Sequence, residues 1–264
     1  MSRTNRSDDL SFLYTSGMGE VIVGATPGRS QTDVVIQGIK DMLTQGELGP
    51  GSRLPIEKDL ALRLGVSRGT LREGVRALAT LGILDTRQGD GTYVTSLDPS
   101  DLLSPLGFLA DLQQPAHAAD LLAVRRALES ESVALAALRL SEEQLLELDR
   151  ILGIVDGILE SDPDMDLEAF IHADTEFHRT IARASGNPAL AAIIDTLAGR
   201  TFRARLWRAI SHRGSVRDTQ AEHRAILTEL MRRDPERARI RMSVHLLGVE
   251  EFSAAHVDQD PEAV

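Results

Sequence analysis

The hydrophobic positions of this chain recur at helical spacing almost throughout, and the polar residues between them mark where helices start and stop. Val34, Val35, Ile39, Met42 and Leu43 predict a first helix from Thr32, as its cap, to about Gln45. Gly46-Glu47-Leu48-Gly49-Pro50-Gly51 breaks it. A short second helix is predicted from Pro55, suited to a first helical position, to Leu64. A third runs from Arg68 to Leu81 with Leu71, Val75, Leu78 and Leu81 on one face. Gly65 suits the left-handed residue that ends a helix, Ser67 can cap the next, and Val66 can pack on Leu71. Two helices joined by a tight glycine turn make a helix-turn-helix. The period then changes. Residues 83–86 and 92–94 flank Arg87-Gln88-Gly89-Asp90-Gly91 and predict a β-hairpin, which beside a helix-turn-helix is a wing.

After this point only helical periods remain, over about 100–112, 117–139, 141–160, 166–185, 188–211, 216–233 and 235–255. Ser141-Glu142-Glu143-Gln144 opens one of them as a capping box, and Pro163, Gly186-Asn187-Pro188, Gly214 and Asp234-Pro235 separate others. The expected fold is mainly α: an N-terminal winged helix-turn-helix with a small hairpin, and a C-terminal all-α antiparallel helical bundle. The domain plan is a disordered leader over 1–31, a DNA-binding domain over 32–96, a linker over 97–100, the bundle over 101–255 and a tail over 256–264.

Composition narrows the function. Aromatic residues are only 3%, so Leu, Ala, Val and Ile must build the core. The absence of cysteine excludes disulfides and thiolate metal ligands. No apolar run approaches the roughly 20 residues of a membrane span, and no signal-peptide core is present, so a cytoplasmic protein without membrane contact is expected. The formal net charge of −11 is unusual for a protein that binds nucleic acid. Residues 1–96 carry 11 Lys and Arg against 11 Asp and Glu, which leaves 18 against 29 in the remainder. A neutral head on an acidic body predicts weak non-specific binding, so specific affinity needs two heads.

The third helix places Ser67, Arg68, Thr70 and Arg72 in its first turns, where a recognition helix reads base edges. Arginine can fork onto guanine, and serine or threonine can hold phosphate. The run GELGPGSRLPIEKDLALRLGVSRGTLREGVRALATLGILDTRQGDGTYV resembles the DNA-binding domain of the GntR family of bacterial regulators, over about residues 33–95. The resemblance implies DNA contacts at Lys58, Ser67, Arg68, Thr70, Arg72 and the wing-tip Gly89. Lys58 stands where the family often has arginine, which weakens a bidentate contact. Gly69 and Gly74 replace better helix formers, so full ordering of this helix is expected only on DNA.

In the bundle, Asp174 and His178 lie four apart on one helix face, and His223 and His245 lie on two later helices. Three imidazoles and a carboxylate suit zinc or a similar first-row metal. From spacing alone, ordinary core or surface histidines are the commoner outcome. The runs LLAVRRALESESVALAALRL, DTEFHRTIARASGNPAL and AEHRAILTELMRRDPERARIRMSVHLLG resemble the FCD ligand-sensing domain of the FadR branch of that family, over about 119–252. That resemblance implies a divalent metal, zinc first and nickel or manganese next, on Asp174, His178, His223 and His245. His117, His172, His212 and His256 match no ligand position. Arg125 either pairs with Glu129 one turn on or grips an effector carboxylate; the resemblance favours the second. Of Arg200, Arg203, Arg205 and Arg208, one can reach the pocket and the rest are expected on a solvated face.

The expected protein is therefore a regulator, a repressor, that binds operator DNA as a homodimer and senses a small carboxylate through a metal-containing pocket. With neutral imidazoles, the metal and four ligands carry about +1 and Arg125 adds another, which calls for an anion. A metal-dependent hydrolase-type enzyme is one alternative, weakened by the lack of an H-E-x-x-H motif. An effector-independent architectural DNA binder is another.

Overall fold

The computed structural model describes residues 30–103, 118–160, 165–212 and 214–256. The expected leader lies outside the described residues except at its end. So do His117, most of the tail, and the predicted helix over 100–112 beyond residue 103. Helix α1 spans Gln31–Thr44, α2 Glu57–Leu64 and α3 Arg68–Thr80, followed by strands β1 Leu84–Arg87 and β2 Gly91–Val94. The bundle consists of α4 Ala118–Ala137, α5 Glu142–Glu160, α6 Leu167–Ala184, α7 Pro188–Arg200, α8 Phe202–Ser211, α9 Ser215–Met231 and α10 Pro235–Ala255. Among the described residues, no helix is long and apolar enough to cross a membrane.

Two separate cores account for two domains. Val35, Ile39, Leu60, Leu71, Leu78, Leu84 and Val94 form the smaller one. Leu148, Leu152, Ile171, Phe177, Ile226, Leu230 and Met242 lie within the larger, built chiefly of aliphatic side chains as the scarcity of aromatics requires. In the bundle α4 packs against α10, α6 and α7, while α9 packs against α5 and α10.

The head follows its local signals with four corrections. Gly65 is left-handed, with φ of 66°, and the Ser67 hydroxyl accepts the Thr70 N–H at 3.1 Å, as the turn and cap require. The cap of α1 is Ser30, not Thr32. Ser30 and Asp33 satisfy each other's backbone N–H in a capping box, whereas the Thr32 hydroxyl reaches Glu73 at 3.5 Å. Pro55 is not the first residue of α2. Ile56 is the cap, because the preceding segment is drawn out along β2: the Leu54 N–H donates to the Thr92 carbonyl at 2.8 Å, and Arg53 bridges to Tyr93. The hairpin pairs Leu84 with Val94 and Arg87 with Gly91, so the ladder takes in Arg87 and Gly91, which the sequence placed in the turn. Last, α3 is continuous through both glycines. A Cβ at Gly74 would sit 2.5 Å from Val35 Cγ1, so this glycine allows α1 to approach α3 closely.

One prediction fails in the bundle. The helix expected over 188–211 is two helices, α7 and α8, divided at Thr201, whose φ of −91° and ψ of 4° leave the helical region. The buried Thr201 hydroxyl accepts a hydrogen bond from Arg125 Nη1 at 3.1 Å, tying the break to α4.

Candidate metal centre and nucleic-acid interface

In the head, Lys58, Ser67, Arg68, Arg72 and Gly89 are all exposed and Thr70 is half-buried. Arg72 is already engaged. Its Nε lies 3.0 Å from both Glu57 oxygens and its Nη2 2.8 Å from Oε2, a fork-on-fork pair between α3 and α2. Both side chains remain more than half exposed, so this pair can exchange for another anion at little cost. Arg53, Arg72, Arg76 and Arg87 line a groove between α3 and the wing. Arg53 and Arg87 escaped the sequence reading because their relation to the recognition helix exists only through the hairpin. Arg53 donates to the Asp90 carbonyl, and Arg87 lies over the Tyr93 ring at 4.4 Å. A Cβ at Gly91 would collide with Arg53. At the tip, Gly89 has φ of 76° and is open to solvent.

In the bundle, α6, α9 and α10 bring Asp174, His178, His223 and His245 together, all buried, with one ligand atom from each within 4.8 Å of the others. His223 Nε2 lies 3.2 Å from His245 Nε2, which lies 3.3 Å from His178 Nε2. Asp174 Oδ1 is 3.6 Å from His223 Nε2 and 4.0 Å from His178 Nε2. The outer nitrogens explain this geometry. His178 Nδ1 faces Glu129, and His245 Nδ1 faces Glu222 at 2.8 Å. A carboxylate accepts, so these Nδ1 atoms carry the protons and both Nε2 lone pairs point inward. Two inward lone pairs 3.3 Å apart repel unless a cation lies between them.

A proton is a poor candidate for that cation. Burial, with the His245 ring beside it, pushes His223 well below the ordinary imidazole value. Burial also lowers His245, against the pull of Glu222. Two nitrogens bound at about 2.0–2.1 Å to one ion lie about 3.0–3.4 Å apart, depending on the bond angle. The two imidazole spacings match, and Asp174 Oδ1 lies slightly further out at 3.6 and 4.0 Å, so the three rings with Asp174 form a group that could hold a metal ion, with Glu129 and Glu222 orienting two of the rings. His172 is exposed beside Glu168, and His212 and His256 lie near Phe252, all away from this cluster as expected.

Both readings of Arg125 apply in part. It is fully buried and paired with Glu129, and it also lines a cavity beside the cluster while its Nη2 has no partner. Burial pushes the Glu129 carboxyl up, but the Arg125 charge and the His178 ring bring it down to about 2. Among the described side chains of the 200–208 cluster, two arginines rather than one line the cavity. Arg205 is buried on Asp174, and Arg208 donates to Thr219 at 3.1 Å. Burial pushes Asp174 up, yet Arg205 and the neighbouring rings hold it well below the usual carboxylate range. Arg205 itself is lowered by burial to about 10, still charged at neutral pH.

These contacts correct the charge count made from the sequence. Glu129 already neutralises Arg125, and Arg205 neutralises Asp174. The hints were present: Glu129 sits four residues after Arg125, and Arg205 three before Arg208. Nothing in their spacing said that they are buried.

Comparison with known proteins agrees with this division. Residues 31–94 match the model of bacterial regulatory proteins of the gntR family, and residues 120–248 match the FCD domain. The HTH-type transcriptional regulator YcbG of Bacillus subtilis strain 168 is 32% identical over 244 residues, 92% of this chain and 98% of that protein. The HTH-type transcriptional repressor NanR of Klebsiella aerogenes is 30% identical over 223 residues, 83% of each. The solved structure of a Streptococcus agalactiae GntR protein superposes with a TM-score of 0.57 at 28% identity, covering 83% of this chain and 99% of that one. The family comprises DNA-binding transcriptional regulators and not enzymes, which removes the hydrolase alternative. Winged head, helical sensor bundle and relatives that span nearly the whole chain together place this protein in the GntR family, as a DNA-binding transcriptional regulator with an FCD ligand-binding domain.

Proposed function

We propose that this regulator is a cytoplasmic, homodimeric repressor whose DNA binding is relieved by a small carboxylate bound on a zinc ion in the FCD bundle. The observation that carries the reading is the arrangement of three converging imidazole Nε2 atoms beside a cavity lined by Arg125, whose Nη2 has no partner. Three histidines and one carboxylate are a zinc-type donor set, with nickel or manganese as weaker fits. Bound there, the ion would supply a Lewis-acidic seat for an anion. Arg125 would hold that anion in place, and Asp174, His178, His223 and His245 would hold the ion.

In the head, Arg68 and Arg72 are assigned to base edges, Lys58, Ser67 and Thr70 to phosphate or base edges, and Gly89 to the wing-tip contact. Pairing is supported by Ile240, Val244 and Leu247, exposed at helical spacing on α10. A two-fold dimer would present its heads to half-sites about 34 Å apart, or a multiple of that. The repressor sign draws on the name of the NanR relative.

The test is operator affinity by fluorescence anisotropy, with and without short carboxylic acids, in the metal-loaded protein, the chelated protein and Arg125→Lys. Lysine keeps the charge opposite Glu129 but loses the fork. The acid is expected to weaken operator binding only in the loaded wild type. A response that survives both chelation and substitution would refute the anchoring; a response confined to neutral or cationic ligands would refute the effector class.

A further inference from the structure

The groove between α3 and the wing fits more than DNA. It encloses about 600 Å³, a volume typical of sites that take up a ligand. Arg53, Arg72, Arg76 and Arg87 line it. Glu57 answers Arg72, and Asp85 answers Arg87 at 3.0 Å. Asp90 lines the groove too, but its carboxylate accepts the Tyr93 hydroxyl at 3.0 Å, and Arg53 reaches only its backbone carbonyl. Arg53 and Arg76 therefore have no carboxylate partner among the described residues. Pro55 and Ile56 also line the groove, and Ile56 is 62% exposed. Free guanidinium groups beside an exposed aliphatic side chain suit an acidic segment that also carries apolar residues.

The same chain contains such a segment, outside the described residues. Residues 7–28 hold Asp8, Asp9 and Glu20 and no lysine or arginine. Leu10, Phe12, Leu13 and Tyr14 follow close behind the two aspartates, in a chain with only six Phe, two Tyr and one Trp. The place where this segment joins the head also fits. Ser30 caps α1, and the Thr32 hydroxyl donates to Glu73 at 3.5 Å, the residue next to Arg72 on α3. Tyr14 precedes Ser30 by 16 residues, which span up to about 50 Å when extended. Helix α3 is only about 20 Å long. A tether of this length gives an effective concentration on the order of millimolar. We infer that residues 8–14 dock in the groove, with Asp8 and Asp9 against Arg53 and Arg76 and the apolar side chains over Ile56. The N-terminal segment is then an autoinhibitor that operator DNA must displace from the face carrying Arg72. An arm that embraced DNA would carry the opposite charge in this run. The inference rests on the assignment of α3 to DNA and adds an intramolecular competitor to it.

The experiment uses the full chain in two variants. Asp8→Asn with Asp9→Asn and Glu20→Gln removes charge, and Phe12→Ser with Tyr14→Ser removes only apolar surface. Each should bind operator about three- to tenfold more tightly than the wild type by fluorescence anisotropy, because a competitor lowers apparent affinity by the fraction of grooves it leaves free. The chain has no cysteine, so Ser11→Cys provides a single site for a benzophenone photo-cross-linker. Cross-links are expected to peptides within 53–92, and operator DNA should suppress them. Tightening in the charge variant alone would mean plain repulsion between the segment and DNA, and tightening in the apolar variant alone would remove the arginine contacts; either overturns the docking. Unchanged or weaker operator binding in both variants would overturn it too, as would cross-links elsewhere or ones that operator leaves intact. The cross-link is read without DNA, so the docking can fail while the assignment of α3 to DNA stands.

Discussion

The head and the bundle handle their charged residues in opposite ways. Arg72 and Glu57 form a well-aligned pair on the surface of the head, with both side chains more than half exposed. Arg125 and Glu129 form a pair of the same chemistry in the bundle with essentially no exposure. Water can take over either partner of the first pair, so Arg72 remains available to DNA. Nothing can take over either partner of the second except another buried group, and Glu129 therefore also holds His178. A surface charge is available to a passing ligand, while a buried charge is committed to a network and changes state only with the whole network.

The sharpest way to break this comparison is to remove one carboxylate from each pair. Glu129→Ala leaves Arg125 and His178 without their partner and should cost about 3–5 kcal/mol of bundle stability, read from denaturant unfolding. Glu57→Ala should hardly move the transition of the head. Similar losses in the two variants would show that burial is not what separates the pairs.

The proposed metal sharpens the comparison further. His178→Ala, His223→Ala and His245→Ala should each reduce bound metal several-fold by atomic emission, and full metal content in the triple variant would remove the site. The metal-free protein should show a defined pH response. His223 and His245 have folded pKa values below the unfolded value of about 6.5, so below that pH the unfolded chain binds more protons than the folded one. Stability is therefore expected to fall as pH drops through about 6.5 and below, and metal should suppress this loss above the pH at which protons displace it. A melting temperature flat between pH 7 and 5 in the metal-free protein would contradict the buried, neutral state of these rings.

In the head, Arg68→Ala or Arg72→Ala should weaken operator binding by about tenfold or more and relax specificity at one position per half-site, measured by gel shift. Unchanged affinity in Arg72→Ala would show that Glu57, and not DNA, is its only partner. The smallest effect separates the two glycines of α3. Gly74→Ala would press on Val35 and should destabilise the head by about 1–3 kcal/mol. A Cβ at Gly69 meets only Ser67 Oγ, at 3.6 Å, and Gly69→Ala should stabilise it by about 0.4–1 kcal/mol. Equal effects would mean that helix propensity, not the approach of α1, governs both positions.

Much of this was legible in the amino-acid order because it is local. The turn at Gly65, the Ser67 cap, the hairpin residues and the helical periods of the bundle act over a few residues, and the structure follows them. The errors arose where a distant segment competed. Pro55 looks like a helix start until the segment before it pairs with β2, and the 188–211 period looks unbroken until Arg125 binds Thr201. Gly74 looks like a weakness until Val35 occupies the space a side chain would need.

The candidate site divides along the same line. By itself the sequence determined the class of each domain, the residue types that can face DNA and the spacing of Asp174 and His178 on one helix face; its family resemblance singled out all four candidate ligands. Tertiary packing alone decided that three Nε2 atoms converge, that Glu129 and Glu222 set the orientation of two rings, and that Arg205 and Arg208 enter the cavity. The physical reason is that helix caps, turns and periodicity depend on neighbours along the chain, whereas the pairing of a buried charge depends on whatever other buried group lies within reach, and that is settled only when the helices pack.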